Sequence, residues 1–399
     1  MQEHNTFIKN IGLFICLFIT CCAFGLTQNN AHFVLYLFIP IAVYYTSKYR
    51  YVDGVFKKPL LIFFLLLVAS SISCLFFRHQ HIKDTFTTKY YLNFYCLSAY
   101  FMLLYKRVGI DLVEKVLHIL FIVFIVIYSI QYVIFPKTIV QILVQNDNEH
   151  RIRLFGQIIA LYGTFRSYNN YLINRTTKSL ILTVIGILII ITYGFRTMIA
   201  ALALTMLVMY SKYNRISIMS AVKVIIGASL LFFALLKIPA VSQSIDRMIQ
   251  VQSEGQNYSN EDYVRLIQLD YYMNDHFVSD YERIFGSGIP SHKSTYGKSM
   301  MIDKDNYKVD FIKGWVDWGM IGLTWIIGPF AVLCLIYMFA KSMIISWKSD
   351  PHYFHIFGFF MFLLLVSINN VEAYRIGCCG VEACALYIIS CVQKNRTYD

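Results

Sequence analysis

Pro59-Leu-Leu-Ile-Phe-Phe-Leu-Leu-Leu-Val-Ala-Ser-Ser-Ile-Ser-Cys-Leu-Phe-Phe77 follows Lys57-Lys58 and contains no charged residue. About 20 apolar residues in a helix, at ~1.5 Å each, cross a hydrocarbon core of ~30 Å. Runs of this kind, roughly 16 to 22 residues long, recur along the chain and predict an all-α polytopic membrane protein. Composition agrees: 57% of the 399 residues are hydrophobic and 15% are charged, well below a soluble domain of this length. Transmembrane β-strands would show short alternating segments instead. The first run, Ile11 to Leu26, has only Lys9 as a positive flank and no small-x-small cleavage site, and it is expected to be a retained helix.

Hydropathy gives about twelve spans, near residues 10–26, 31–47, 59–77, 90–105, 116–135, 156–173, 178–194, 197–211, 219–238, 317–340, 353–369 and 373–392. The sixth is weak, with Gln157, Arg166, Asn169 and Asn170, and is either re-entrant or tucked inside the bundle. Residues 1–240 hold about nine spans and 316–399 about three. Between them, residues 241–315 form one large polar loop with no cysteine. All ten cysteines fall in or beside apolar runs, which suits small buried side chains and excludes a disulfide framework.

The formal charge is +12, but Lys and Arg sit between helices, so the pattern is that of membrane topology and not of nucleic-acid binding. One face collects about 17 Lys/Arg and the short loops opposite about nine. The richer face, with Lys57, Lys58, Lys106, Lys115, Lys212, Lys341 and Lys348, is then cytoplasmic, both termini lie inside, and the large loop lies outside. Within that loop Ser259-Asn-Glu-Asp262 has the form of a helix start. The residues after it, to Met273, pattern as an amphipathic helix, with Asp262, Arg265, Gln268 and Tyr272 on a polar stripe. Gly286-Ser-Gly288-Ile-Pro290 reads as a turn, and Ser291 to Lys308 as a flexible tract.

The expected external face carries Arg151, Arg153, Arg166, Arg196 and Arg265 with few acids nearby. Arg196, in Gly194-Phe-Arg196-Thr197, opens a helix where the macrodipole is already positive. A cation there suits an anion such as phosphate shared with the free helical N–H groups. Its alternative partners are external headgroups, Glu372 or an acid of the loop. Arg153 also fits an interfacial anchor, and Arg265 a pair with Asp262.

Three pieces occur in order: Arg153-Leu-Phe-Gly156 before the span with Asn169-Asn170, Gly194-Phe-Arg196-Thr197, and the loop with Arg265, Ile284-Phe-Gly286-Ser-Gly288, Asp310 and Trp318-Gly-Met-Ile-Gly322. This order resembles the O-antigen and capsular polysaccharide polymerases of the Wzy type and their relatives, the O-antigen ligases. The resemblance covers roughly residues 150 to 340. It implies a fold like the multi-helix membrane (GT-C-like) glycosyltransferases. It implies undecaprenyl-diphosphate-linked oligosaccharides as substrates, in the bacterial cytoplasmic membrane, with membrane lipids, a chain-length regulator and a flippase as partners. No cofactor or metal is expected. Arg151, Arg153, Arg166, Arg196 and Arg265 would meet the diphosphates, where fixed guanidinium groups stabilise a leaving anion. Asp310, Asp305 or His292 would assist the acceptor hydroxyl. Ligases of this family carry a His-Asn pair before the final Gly-x-x-Gly; here the region reads Asp305-Asn306-Tyr307. Ligase is therefore the nearest alternative to polymerase. A flippase is a third, less suited to charges gathered at the external mouth.

Overall fold

The computed structural model describes residues 38–135, 137–140, 142–146, 151–154, 156–193, 196–214, 268–300, 314–368, 374 and 377–396. In chain order the helices begin with α1 (Phe38–Ser47), α2 (Lys57–Phe76), α3 (Ile82–Phe86), α4 (Lys89–Tyr95), α5 (Ala99–Lys106) and α6 (Ile110–Ile134). A two-stranded ladder, β1 (Ile142–Asn146) and β2 (Arg151–Leu154), precedes α7 (Gln157–Asn174), α8 (Thr177–Thr192) and α9 (Arg196–Tyr213). The polar loop contributes α10 (Asp280–Phe285) and α11 (Thr295–Ser299). Then come α12 (Gly319–Ile327), α13 (Pro329–Lys348), α14 (Phe354–Val366) and α15 (Cys378–Arg396).

The architecture is helical, as expected, and three described helices (α2, α6 and α13) are long and apolar enough to cross a membrane. Shorter apolar helices accompany them. On α2 the exposed apolar residues are Ile62, Leu65, Val68, Ile72 and Phe76, spaced by three and four. The opposite face buries Leu60, Phe63, Leu67 and Cys74. A helix apolar on its exposed side as well as its packed side has lipid, not water, as its natural surroundings.

Several expected spans differ in detail. The fourth is interrupted: Cys96–Ser98 form a 3-10 turn between α4 and α5. The tenth is broken at Gly328, whose φ of 85° separates α12 from α13. The weak sixth span is a continuous helix, α7, and its polar Gln157, Thr164 and Asn169 are buried. Most of this helix is buried within the first unit. The addition to an all-α expectation is the β1–β2 ladder, antiparallel with Gln145 opposite Ile152 and Asn146 opposite Arg151. Ile142-Leu-Val144 and Ile152 supply the branched apolar residues that favour strand.

The chain divides into two compact units. Among the described residues, the first is drawn from Asp111–Asn257 and Met343–Phe362, and the second from Ala31–Ile110, Tyr258–Ser342 and Leu363–Asp399. This partition follows packing, whereas the three-part division at 240 and 315 follows hydropathy. In the first unit α7 packs along α8, with Gly186 of α8 facing Thr164 of α7 where a larger side chain would collide. In the second unit α2 packs against α10 and α12.

Candidate functional site

At one end of the first unit, the hairpin meets the α8–α9 junction through a tyrosine. The Tyr128 hydroxyl of α6 lies 3.2 Å from the Ile152 carbonyl, to which it donates, and 2.5 Å from Thr192 Oγ1. Tyr193 packs edge-on against the same ring at 6.0 Å. Ile152 stands between Arg151 and Arg153 on β2, and Arg196 opens α9 just beyond Tyr193. The backbone positions of three sequence-flagged arginines are thereby gathered at one end. Their side chains lie outside the described residues, as do Arg265, Asp305 and Asp310 altogether. Gly156, at φ 82°, turns the chain from β2 into α7.

Arg166 is elsewhere, which corrects its grouping with the other arginines. Its Nη2 donates to Glu114 Oε2 at 3.1 Å. Glu114 is one turn into α6 and Tyr128 is 14 residues further along the same helix, a rise of ~21 Å. Arg166 therefore belongs to the opposite end of the unit, and it has an acid. Glu114 Oε2 also lies 3.3 Å from His352 Nε2, and Oε1 lies 3.6 Å from His355 Nε2. His355 Nδ1 is 3.0 Å from the His352 carbonyl, so Nδ1 carries the proton and Nε2 accepts from the Tyr162 hydroxyl at 3.0 Å. Next to this cluster Asn169 Nδ2 donates to the carbonyls of Pro351 and His352, both at 2.9 Å, and its Oδ1 accepts from Tyr213 at 2.8 Å. The asparagine that marked the sixth span is thus a lock between α7, α9 and the turn before α14.

His352 is half-exposed, and its pKa is raised, first by the hydrogen bond to the Glu114 carboxylate. A histidine raised on folding stabilises fully below its unfolded value of about 6.5 and loses that contribution as pH climbs through the higher folded value. Thermal unfolding scans from pH 6 upward are expected to show stability falling in the wild type. A flatter profile is expected for His352→Gln. Parallel profiles would remove this role.

In the second unit the segment after α2 and the polar loop build a buried network. Arg78 grips Glu282 with two bonds of 2.7 Å, from Nε to Oε1 and from Nη2 to Oε2. Nη2 also donates to the His276 carbonyl, and the guanidinium stacks 4.9 Å from the Tyr296 ring centroid. Glu282 is fully buried and accepts from the Val278 N–H at 2.8 Å. His276 Nε2 lies 2.8 Å from Ser287 Oγ, which accepts from the Tyr296 hydroxyl at 2.9 Å. Burial pushes the Tyr296 phenol well above its usual range, which keeps it a donor.

A Ser–His pair invites a nucleophile reading, but the geometry opposes it. Ser287 and His276 are fully buried, and Ser287 Oγ also donates to the Trp325 carbonyl at 3.2 Å. A nucleophile needs an open approach, and these groups instead fasten the loop. The backbone completes the seam: Ser287 N and Gly288 N donate to Trp325 O and Ile326 O at 3.0 and 2.8 Å. Gly286 and Gly288 both have positive φ, and a Cβ on them would strike the Ile326 carbonyl and Cys74. Only glycine fits that approach.

Order extends past the expected turn. Gln80 Oε1 accepts from Ser291 N at 2.8 Å and Ser294 Oγ at 2.7 Å, and Ser294 caps α11 through the Gly297 N–H. Ser291 to Met300 is therefore structured, not flexible, and residues 301–308 lie outside the described residues. His292 is exposed on this turn, at the surface of the second unit.

Sequence reading missed Arg78, His276, Glu282 and Ser287, as well as Glu114, His352 and His355. Ser279-Asp-Tyr-Glu282 has a capping-box pattern, and Ser279 Oγ does accept from Glu282 N at 3.4 Å. Glu114, an acid at the start of an apolar run, was the other available signal. Compared with known proteins, the sequence matches no family model and no curated protein at significant similarity.

Proposed function

We propose that this chain is a membrane glycosyltransferase that polymerises undecaprenyl-diphosphate-linked oligosaccharide repeat units into O-antigen or capsular polysaccharide. It works at the outer face of the bacterial cytoplasmic membrane, with about twelve spans and both termini inside. The observation that supports this reading is the meeting of β2, at Ile152 between Arg151 and Arg153, and the end of α8, at Thr192 and Tyr193 shortly before Arg196, on Tyr128. Polar substrate chemistry at one end of an apolar bundle suits cations on those segments, and Arg166, paired with Glu114, is left out of this proposal.

In the reaction the bond between the donor sugar's anomeric carbon and the diphosphate breaks, and its electron pair leaves with the diphosphate. The acceptor hydroxyl oxygen bonds the same carbon and gives its proton to a loop base, Asp310 first, with Asp305 and His292 as the other choices. Arg151, Arg153 and Arg196, joined by Arg265, stabilise the departing charge without reorganising.

A deletion strain tests the reading. Gel profiles of surface polysaccharide and extracted lipid-linked sugars are expected to show collapse to a single repeat unit, reversed by the gene. Full-length polymer retained on its lipid carrier would indicate a ligase, and repeat units confined to the inner leaflet would indicate a flippase.

A further inference from the structure

In the second unit a groove of about 690 Å³ runs between α2 and α13, within the range of ~300–1,000 Å³ typical of ligand pockets. Its lining is layered. Lys57, Lys58 and Lys341 stand at one end with Asp53, while Ile62, Leu66, Phe330, Leu333 and Cys334 form the rest. Ile62, Phe330 and Leu333 are about half exposed, so the apolar wall is not filled by the described residues.

The dimensions are those of one leaflet. Lys58 to Leu66 rises ~12 Å along α2, and Lys341 back to Phe330 ~16 Å along α13. Half of a hydrocarbon core of ~30 Å is ~15 Å. With the lysines at headgroup level, Phe330 would lie near the bilayer centre. Charge at the mouth favours an anion. The acid there, Asp53, is already 3.8 Å from Lys394. Lys341 Nζ is steadied by the Tyr337 hydroxyl at 2.9 Å, and Lys57 Nζ lies 4.9 Å from the Tyr49 ring centroid. The first turn of α2 contains no acid, and its positive dipole end points the same way.

We infer that this groove binds an anionic glycerophospholipid, its phosphate among Lys57, Lys58 and Lys341 and one acyl chain along Ile62, Leu66, Phe330 and Leu333. A zwitterionic headgroup would set its own cation against the lysines. The site is independent of glycosyl transfer, and on the expected topology it lies in the cytoplasmic leaflet.

The test uses the full chain purified in detergent, titrated with dioleoyl phosphatidylglycerol, dioleoyl phosphatidylcholine or undecaprenyl phosphate and followed by native mass spectrometry. Phosphatidylglycerol is expected to bind at least ~10-fold more tightly than phosphatidylcholine, since each lysine near an anionic headgroup is worth roughly fivefold. Lys57→Gln/Lys58→Gln/Lys341→Gln should abolish the preference. Leu333→Trp, which fills the groove and leaves the lysines intact, should weaken binding of phosphatidylglycerol by a similar factor. The same lipid preference in the triple variant, unweakened binding in Leu333→Trp, or tighter binding of undecaprenyl phosphate would each overturn the assignment.

Discussion

Glu282→Ala is expected to lower the stability of the protein by about 3–5 kcal/mol, the usual cost of breaking a buried ion pair from one side. Glu282 is fully buried and the Arg78 side chain only 13% exposed, which makes the pair unlike surface salt bridges worth ~0–1 kcal/mol. Among the described residues, the substitution leaves the guanidinium with the His276 carbonyl and the Tyr296 ring as its remaining close partners. It also leaves the Val278 N–H without its acceptor. At ~2–4 °C per kcal/mol for a unit of ~150–250 residues, the transition should fall by roughly 6–20 °C. Unfolding of membrane proteins in detergent is often irreversible, so inactivation half-lives at fixed temperature are the safer readout. A paired replacement, Arg78→Met with Glu282→Leu, should recover much of the loss because no charge is then stranded. An unchanged transition in Glu282→Ala would mean that the loop is fastened by its backbone seam alone.

Arg196→Ala is expected to reduce polymer formation by ~10²–10³-fold, the range seen when a fixed group that stabilises a reacting anion is removed. The protein should remain in the membrane at wild-type abundance. Arg196 opens α9, and a cation in a first turn is opposed by the helix dipole by ~0.3–1 kcal/mol. Removing it should leave folding unharmed. An anion between the guanidinium and the free N–H groups reverses the sign of that interaction. Arg196→Lys keeps the charge without the two-pronged geometry and should fall between the two. Normal chain length in Arg196→Ala would end the proposed role for this residue.

Local features of the fold were legible in the sequence and distant pairings were not. Pro59 to Phe77 could be read directly, because an uncharged run of that length has few alternatives to a membrane helix. The interruptions at Cys96–Ser98 and Gly328 were not visible, since hydropathy averages over a window and both breaks keep their apolar character. The site was half legible for the same reason. Arg196 and Arg153 could be named as candidates by position alone, but Arg78 acquires its meaning from Glu282, 204 positions away. Arg166 seemed uncompensated because Glu114 precedes it by 52 positions. The hairpin escaped notice because two short strands between spans carry little periodic signal.

The seam around Gly286-Ser-Gly288 governs how this protein can be recombined. A chimaera that exchanged only the polar loop would carry Glu282, His276 and Ser287 into a host without Arg78, Gln80 or the Trp325 and Ile326 carbonyls that receive them. The transferable cassette is discontinuous. It must include the end of α2 through Gln80 and the end of α12 through Gly328 along with the loop, because those three stretches fold as one joint.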